Sequence, residues 1–280
     1  MAAVTTCNRE GYELYGRRLL ESFDRHWPAS VALHFYTEGF APDVTSPRIV
    51  AHDLLAAAPD LVDFRRRHAA NPDAHGRLRR RLRVVTNWST FKVRVRRVTE
   101  EDAFRWEAVR FAHKSFALFH AAATCDAEVL FWLDADITVF ADVPGPFLEG
   151  LVPEDCLVAF LARPNHTECG FVGYNLRHPA ADRFLAEFRR LYVEDRLFRE
   201  AEFHDAYLFD RLRLAFTAMG HRCHDMAAGV GMSSGRHVFT KSALGRYMDH
   251  LKGARKMPGR GAAADVRAAP SAARSATALR

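Results

Sequence analysis

Two aspartates one residue apart, Asp134 and Asp136, close the apolar run Val-Leu-Phe-Trp-Leu that follows Glu128. Carboxylates at this spacing sit on one turn, where both reach a divalent cation that also grips a diphosphate. Mg²⁺ or Mn²⁺ suits such a site, with oxygen and imidazole ligands neutralising charge on a departing group. Acids are also common at strand ends for structural reasons, so the pair gains meaning only from its surroundings. Glu168, in His166-Thr-Glu-Cys-Gly170-Phe-Val-Gly173, precedes a strand-like run whose glycines would let a substrate approach the backbone closely. Asp205 opens a helical stretch and reads equally as an N-cap and as a catalytic acid. His221 and His224 flank Cys223 without the second ligand pair of a zinc site and read as structural.

The elements that must position these groups begin with a short β-like run at Ala3–Cys7. A helix over Tyr12–Trp27 follows, in which Leu14, Leu19, Leu20 and Phe23 recur at near-helical spacing, and then a strand at Val31–Tyr36. This βαβ opening predicts a parallel sheet. From Pro42 to about Arg105 the pattern is irregular, with an Ala/Leu helix near Asp53–Arg67 and a crowd of arginines, with Lys92, through Arg97. An amphipathic helix over Trp106–Ala123 precedes the strand that ends on Asp134. In open α/β sheets ligands bind in the crevice outside the carboxyl ends of the strands, where this strand leaves its two acids. Leu157–Ala162 and Gly170–Asn175 read as further strands, and Pro179–Val193 and Asp205–Leu214 as helices. The glycines of Gly229–Gly235 lack the setting of a phosphate loop and read as a turn able to close over a ligand.

The chain's 280 residues suffice for a sizeable core, and its composition, 49% hydrophobic and 26% charged, is that of an ordinary globular protein. Forty basic against 34 acidic residues give a net charge of +6, which favours phosphates, polyanions or anionic lipid surfaces. The excess gathers in an insertion at about residues 63–100, read first as a solvated face and second as a dock for an acceptor or a membrane surface. Five scattered cysteines without a CxxC pair, and no apolar run of spanning length, predict a cytoplasmic protein, with peripheral contact at the inner membrane face through the basic region. Residues 258–280, rich in Ala, Arg and Ser, read as a disordered tail beyond a single domain over residues 1–257.

Phe131-Trp-Leu-Asp134-Ala-Asp136-Ile137 resembles the metal-binding motif of glycosyltransferases with the nucleotide-diphospho-sugar, or GT-A, fold. Val4-Thr5-Thr6-Cys7-Asn8 with Tyr12 is similar to the first strand and loop that cradle the donor's base and ribose in that fold. His250-Leu-Lys-Gly253-Ala-Arg-Lys256 resembles the late His-x-x-Gly-x-x-Lys segment of the glycogenin-like retaining families. The resemblance implies an α/β fold of GT-A type, a Rossmann-like, mostly parallel sheet flanked by helices. It further implies metal ligation by Asp134, Asp136 and His250, diphosphate contact by Lys256, and nucleoside contact by Thr6, Asn8 and Tyr12. Asp134 would also meet the donor through the metal. Lys114 or Arg110, on the helix before the Asp-x-Asp strand, would reach donor phosphate or sugar, and Glu168 becomes a sugar-site candidate.

The implied activity is transfer of a sugar from a nucleotide-diphosphate sugar, a UDP-sugar in the first instance, to a glycan, lipid or small-molecule acceptor. Inversion would need a base, Asp205 or Glu168, to deprotonate the acceptor hydroxyl. Retention would need none, and the late His/Lys segment tilts the expectation that way. A sugar-nucleotide nucleotidyltransferase would share fold and metal but want an early glycine-rich triphosphate loop, where only Gly11 and Gly16 stand. A basic nucleic-acid-binding protein would want aromatic readers among the arginines, and Trp88 and Phe91 are thin support, so no nucleic-acid partner is expected.

Overall fold

The fold is that of a computed structural model, which describes residues 1–77, 82–87, 92–97, 100–230 and 238–251. The strands are β1 (Ala2–Asn8), β2 (Ala32–Glu38), β3 (Ile49–Asp53), β4 (Leu82–Asn87), β5 (Lys92–Arg97), β6 (Val129–Leu133), β7 (Ile137–Val139), β8 (Cys156–Phe160), β9 (Phe171–Asn175), β10 (Arg222–Asp225) and β11 (Met248–His250). The α-helices are α1 (Arg9–Gly11), α2 (Arg17–His26), α3 (Leu54–Ala57), α4 (Pro59–Arg67), α5 (Ala108–Thr124), α6 (Gly145–Leu151), α7 (Ala181–Val193), α8 (Asp205–Ala218) and α9 (Val238–Lys241).

Seven strands form one sheet in the order β10-β8-β9-β6-β1-β2-β3. Every neighbouring pair in it is parallel except the two made by β9, so the sheet is mostly parallel, as the βαβ opening predicts. Helices cover both faces, and the strand residues alternate between two cores. In β6, Leu130 and Trp132 enter the core with α5, α7 and α8, while Phe131 and Leu133 enter the core with α2 and α6. Burying a side chain of this size contributes about 1.5–3 kcal/mol, so a strand apolar on both faces is committed to the middle of the sheet. In β1, Val4 faces the first core and Ala3 and Cys7 the second.

Two local departures from expectation bear on the site. The first helix begins at Arg9, where the Asn8 side chain accepts a 2.8 Å hydrogen bond from the Gly11 amide, and it passes through a π-helical turn, Tyr12–Gly16, before α2. The irregular stretch after Pro42 holds a further parallel strand, β3, at the sheet's edge. Its sequence, Ile-Val-Ala-His-Asp, buries Ile49 but exposes Val50, so it lacks the alternation of a half-buried strand. β4 and β5 pair antiparallel as a separate ribbon within the basic stretch, of which Arg79–Arg81 lie outside the described residues. The residues expected to form a tail, 258–280, and most of Gly229–Gly235 also lie outside them.

Candidate active site

From β1 the chain builds outward through β2 and β3, while β6 lies on β1's other side, so the sheet order switches between β1 and β6. The carboxyl ends of these two strands border a cleft of about 440 Å³. Thr6, Cys7 and Asn8 of β1 line it, together with Tyr15, Glu38, Arg110, His113 and Lys114, and with Asp134, Asp136 and Asp205.

Asp134 and Asp136 leave β6 on the turn into β7. The antiparallel pairing of β7 with β11 sets His250 opposite Ile137, and the Leu251 amide donates to the Asp136 carbonyl at 3.0 Å, so the last described strand is stitched to the acidic turn. His250 Nε2 lies 2.9 Å from Asp136 Oδ1 and 3.5 Å from Asp134 Oδ2. One ligand atom from each of the three residues falls within 4.8 Å of the others. Burial opposes a charge on the His250 ring, yet Asp136, Glu168 and Asp134 outweigh it and raise its pKa to about 9. The three ligand atoms converge closely enough for one cation to meet all of them. Two carboxylates and a nitrogen fit Mn²⁺ or Mg²⁺.

Lys114 is part of the same construction. Its ammonium has three protons and three acceptors around it: Asp134 Oδ1 at 2.7 Å, Asp205 Oδ2 at 2.6 Å and the Cys169 carbonyl at 2.7 Å. Burial works against the charge, but Asp134 and Asp205 hold the Lys114 pKa well above its ordinary value. Trp132 Nε1 donates to the same Asp134 oxygen at 2.7 Å, and the Trp132 ring lies 4.8 Å below the ammonium. With Oδ1 taken by two donors, Asp134 turns Oδ2 toward His250.

Asp205 is the first residue of α8, and the cap is its neighbour His204, whose Nδ1 accepts from the Tyr207 amide at 3.3 Å. Burial raises the Asp205 pKa, and Lys114 and His204 more than offset it, so the net shift is downward. Glu168 is only 3% exposed and lies behind His250, with Oε1 3.1 Å from His250 Nδ1 and Oε2 2.9 Å from Arg163. The close approach at Gly170 serves the imidazole, since a Cβ there would lie 2.3 Å from His250 Nδ1.

Among the residues expected at the nucleoside, Thr6 and Asn8 line the cleft, Thr6 donating to the Tyr36 carbonyl at 2.8 Å. Tyr12 is buried elsewhere: its ring packs on Phe35 and Phe40 and its hydroxyl donates to Asp43. Tyr15 takes the place at the cleft, its pKa pushed to about 12 chiefly by burial. Arg110 lines the cleft from an exposed position, paired with Glu107 at 2.8 Å. Lys256 lies outside the described residues. Sequence reasoning also passes over Glu38, at the carboxyl end of β2, whose Oε2 lies 2.6 Å from His113 Nδ1.

A second gathering of possible ligands, His166, Glu202 and His204, stands beside Asp205. The His204 cap bond requires a lone pair on Nδ1, so the ring proton is on Nε2, which lies 2.8 Å from Glu202 Oε2. Arg105 holds both Glu202 oxygens, at 3.0 and 3.1 Å. These contacts make a buried hydrogen-bonded clamp on the start of α8.

No protein-family model matches the sequence, and no curated protein sequence matches it. Among solved structures, the chain overlaps mouse xyloside xylosyltransferase 1 at 10% identity and a TM-score of 0.45, covering 80% of this chain and 85% of that one. It overlaps the glycosyltransferase GlyE of Streptococcus pneumoniae TIGR4 at 10% identity and a TM-score of 0.42, over 85% of this chain and 50% of GlyE. The bifunctional glycosyltransferase WbbM overlaps at 14% identity and a TM-score of 0.41, over 81% of this chain and 38% of WbbM.

Proposed function

We propose that this chain is a glycosyltransferase that moves a sugar from a nucleoside diphosphate donor to an acceptor hydroxyl, with a divalent metal held by Asp134, Asp136 and His250. The observation that carries this reading is the meeting of those three side chains, two from the end of β6 and one from the last described strand, at a cleft on the β1–β6 switch point. The motif resemblances of Phe131–Ile137 and of the segment from His250 add to it, and they favour a UDP-sugar and retention of configuration. A bound cation would grip the diphosphate and neutralise the charge it gains on leaving.

The chain's own residues divide the remaining work. Thr6, Asn8 and Tyr15 form the wall suited to the nucleoside, and Arg110 is the exposed guanidinium at the cleft able to meet phosphate oxygens in bidentate fashion. Lys114, with all three protons engaged, holds Asp134 and Asp205 in place instead of ranging over the phosphates. Asp205, kept anionic by Lys114, is better suited to stabilising positive charge at the anomeric carbon than to accepting a proton, which agrees with retention. The acceptor is a glycan, lipid or small-molecule hydroxyl.

Thermal unfolding with a panel of nucleoside diphosphates, with and without Mn²⁺, tests the reading. One diphosphate, with metal, should raise apparent stability by about 2.7 kcal/mol at a hundred times its Kd, and Asp136→Ala should abolish the effect. Failure of every diphosphate to stabilise the protein under any metal condition would sink the proposal.

A further inference from the structure

We infer that Glu168, held by Arg163, is a positioning residue that fixes the ring of His250 so that Nε2 faces the metal. The inference rests on the metal reading above and deepens it. An imidazole can ligate through either nitrogen, and what the other nitrogen does decides which. Both nitrogens face carboxylates: Nε2 faces Asp136 and Asp134, the two other proposed ligands, whereas Nδ1 lies 3.1 Å from Glu168 Oε1, so a cation between the three ligands would take Nε2 and leave the proton on Nδ1, donated to Glu168.

Three further features fix this arrangement. Arg163 binds the other Glu168 oxygen at 2.9 Å, and its own Nε and Nη2 donate to the His166 and Thr167 carbonyls at 3.0 and 3.2 Å. The guanidinium is thereby tied to the loop that carries Glu168 and is not free to pull the carboxylate off the ring. Second, the Glu168 amide donates to the Leu161 carbonyl at 2.9 Å, and the Asp134 amide donates to the Gly170 carbonyl at 2.8 Å, so the same loop is pinned to the metal-bearing turn. Third, Gly170 leaves the space in which the ring stands, since any side chain would overlap Nδ1. A sugar-facing base would need an open carboxylate, whereas Glu168 is buried with each oxygen assigned to a partner.

The experiment is titration of Mn²⁺ alone into wild type, Glu168→Gln and Glu168→Leu, read by calorimetry. It is joined to ¹⁵N NMR of the His250 ring in protein loaded with diamagnetic Zn²⁺. A carboxylate that orients a ligand histidine is worth roughly 10–100-fold in metal affinity, so Glu168→Leu should weaken Mn²⁺ by that factor. Glu168→Gln, which keeps an acceptor but no charge and preserves the packing, should fall between. In wild type the spectrum should show a single ring form, Nδ1 protonated and Nε2 on the metal, and in Glu168→Leu a mixture. Variants with wild-type Mn²⁺ affinity and an unchanged ring spectrum overturn this inference alone, provided wild type binds Mn²⁺ and Asp136→Ala does not. Wild type that takes up no Mn²⁺ overturns the metal reading itself, and this inference with it.

Discussion

At the scale of single residues, the site depends on one ammonium shared among several partly buried acceptors. Lys114 donates to Asp134, Asp205 and the Cys169 carbonyl together, so Lys114→Met leaves two carboxylates without their shared cation. Breaking a fully buried pair by removing one partner costs about 3–5 kcal/mol; these groups keep 15–28% of their side-chain surface exposed, so urea unfolding of Lys114→Met should show a loss at or below the low end of that range. Lys114→Arg should not restore it, because a planar fork cannot direct three protons to acceptors arranged around a tetrahedral ammonium. Wild-type stability in either variant would show that the ion pairs are solvated and that Lys114 is free to serve the donor. The residues that carry this site were partly legible in the sequence. Asp134 and Asp136 announce themselves by standing at the end of an apolar strand, but the partners of Lys114 are separated along the chain and no pattern joins them. Tyr15 was hidden for a different reason. The expectation for Tyr12 rested on motif resemblance, and the π-helical turn Tyr12–Gly16 that the chain makes there is not visible in the motif.

At the scale of elements, the sheet's edge carries a group of histidines that the site does not use. His34 of β2 and His52 of β3 stack with ring nitrogens 3.0 Å apart, and His120 of α5 stands 6.0 Å from the His52 ring while bonding the Tyr36 hydroxyl at 2.7 Å. Burial, then the neighbouring imidazoles, lowers the pKa values of His34 and His52 below the ordinary 6.5. A base whose pKa is lower folded than unfolded binds fewer protons in the native state, so stability is full above 6.5 and falls as pH drops below it. The raised His250 ring works the other way but has given nearly all its contribution by pH 6.5, so thermal unfolding from pH 6.5 down to 5 should show a Tm that declines with acid, and His52→Asn should flatten the decline. An equal slope in the variant would place the acid sensitivity elsewhere. β3 itself was not legible in the sequence, because an edge strand with one buried residue has too little alternation to distinguish it from a loop. β1 and β6 were legible because strands at the sheet's centre must be apolar on both faces.

At the scale of the whole molecule, the candidate site joins regions of unequal security. β1 and β6 are flanked on both sides within the seven-stranded sheet, whereas β11, which delivers His250, pairs among the described residues with the three-residue β7 alone and is anchored by the buried Met248. Short ladders with few partners open locally at a free energy below that of global unfolding. The amides of β11 should therefore exchange with solvent faster than those of β6 in metal-free protein. A ligand set that needs His250 in place must oppose that opening by mass action, because the opened strand no longer offers its imidazole. With Mn²⁺ and the stabilising diphosphate at a hundred times their apparent Kd, exchange at β11 should slow by about a hundredfold, while exchange at sites already limited by global unfolding follows the global gain. Mass-spectrometric hydrogen exchange on wild type and His250→Asn measures both. Slowing confined to β1, with β11 unaffected, would mean that the donor binds without the last strand and that His250 is no part of the metal site. Slowing at β11 that vanishes in His250→Asn would mean that closing the last strand over the acidic turn is itself the step that completes the binding site.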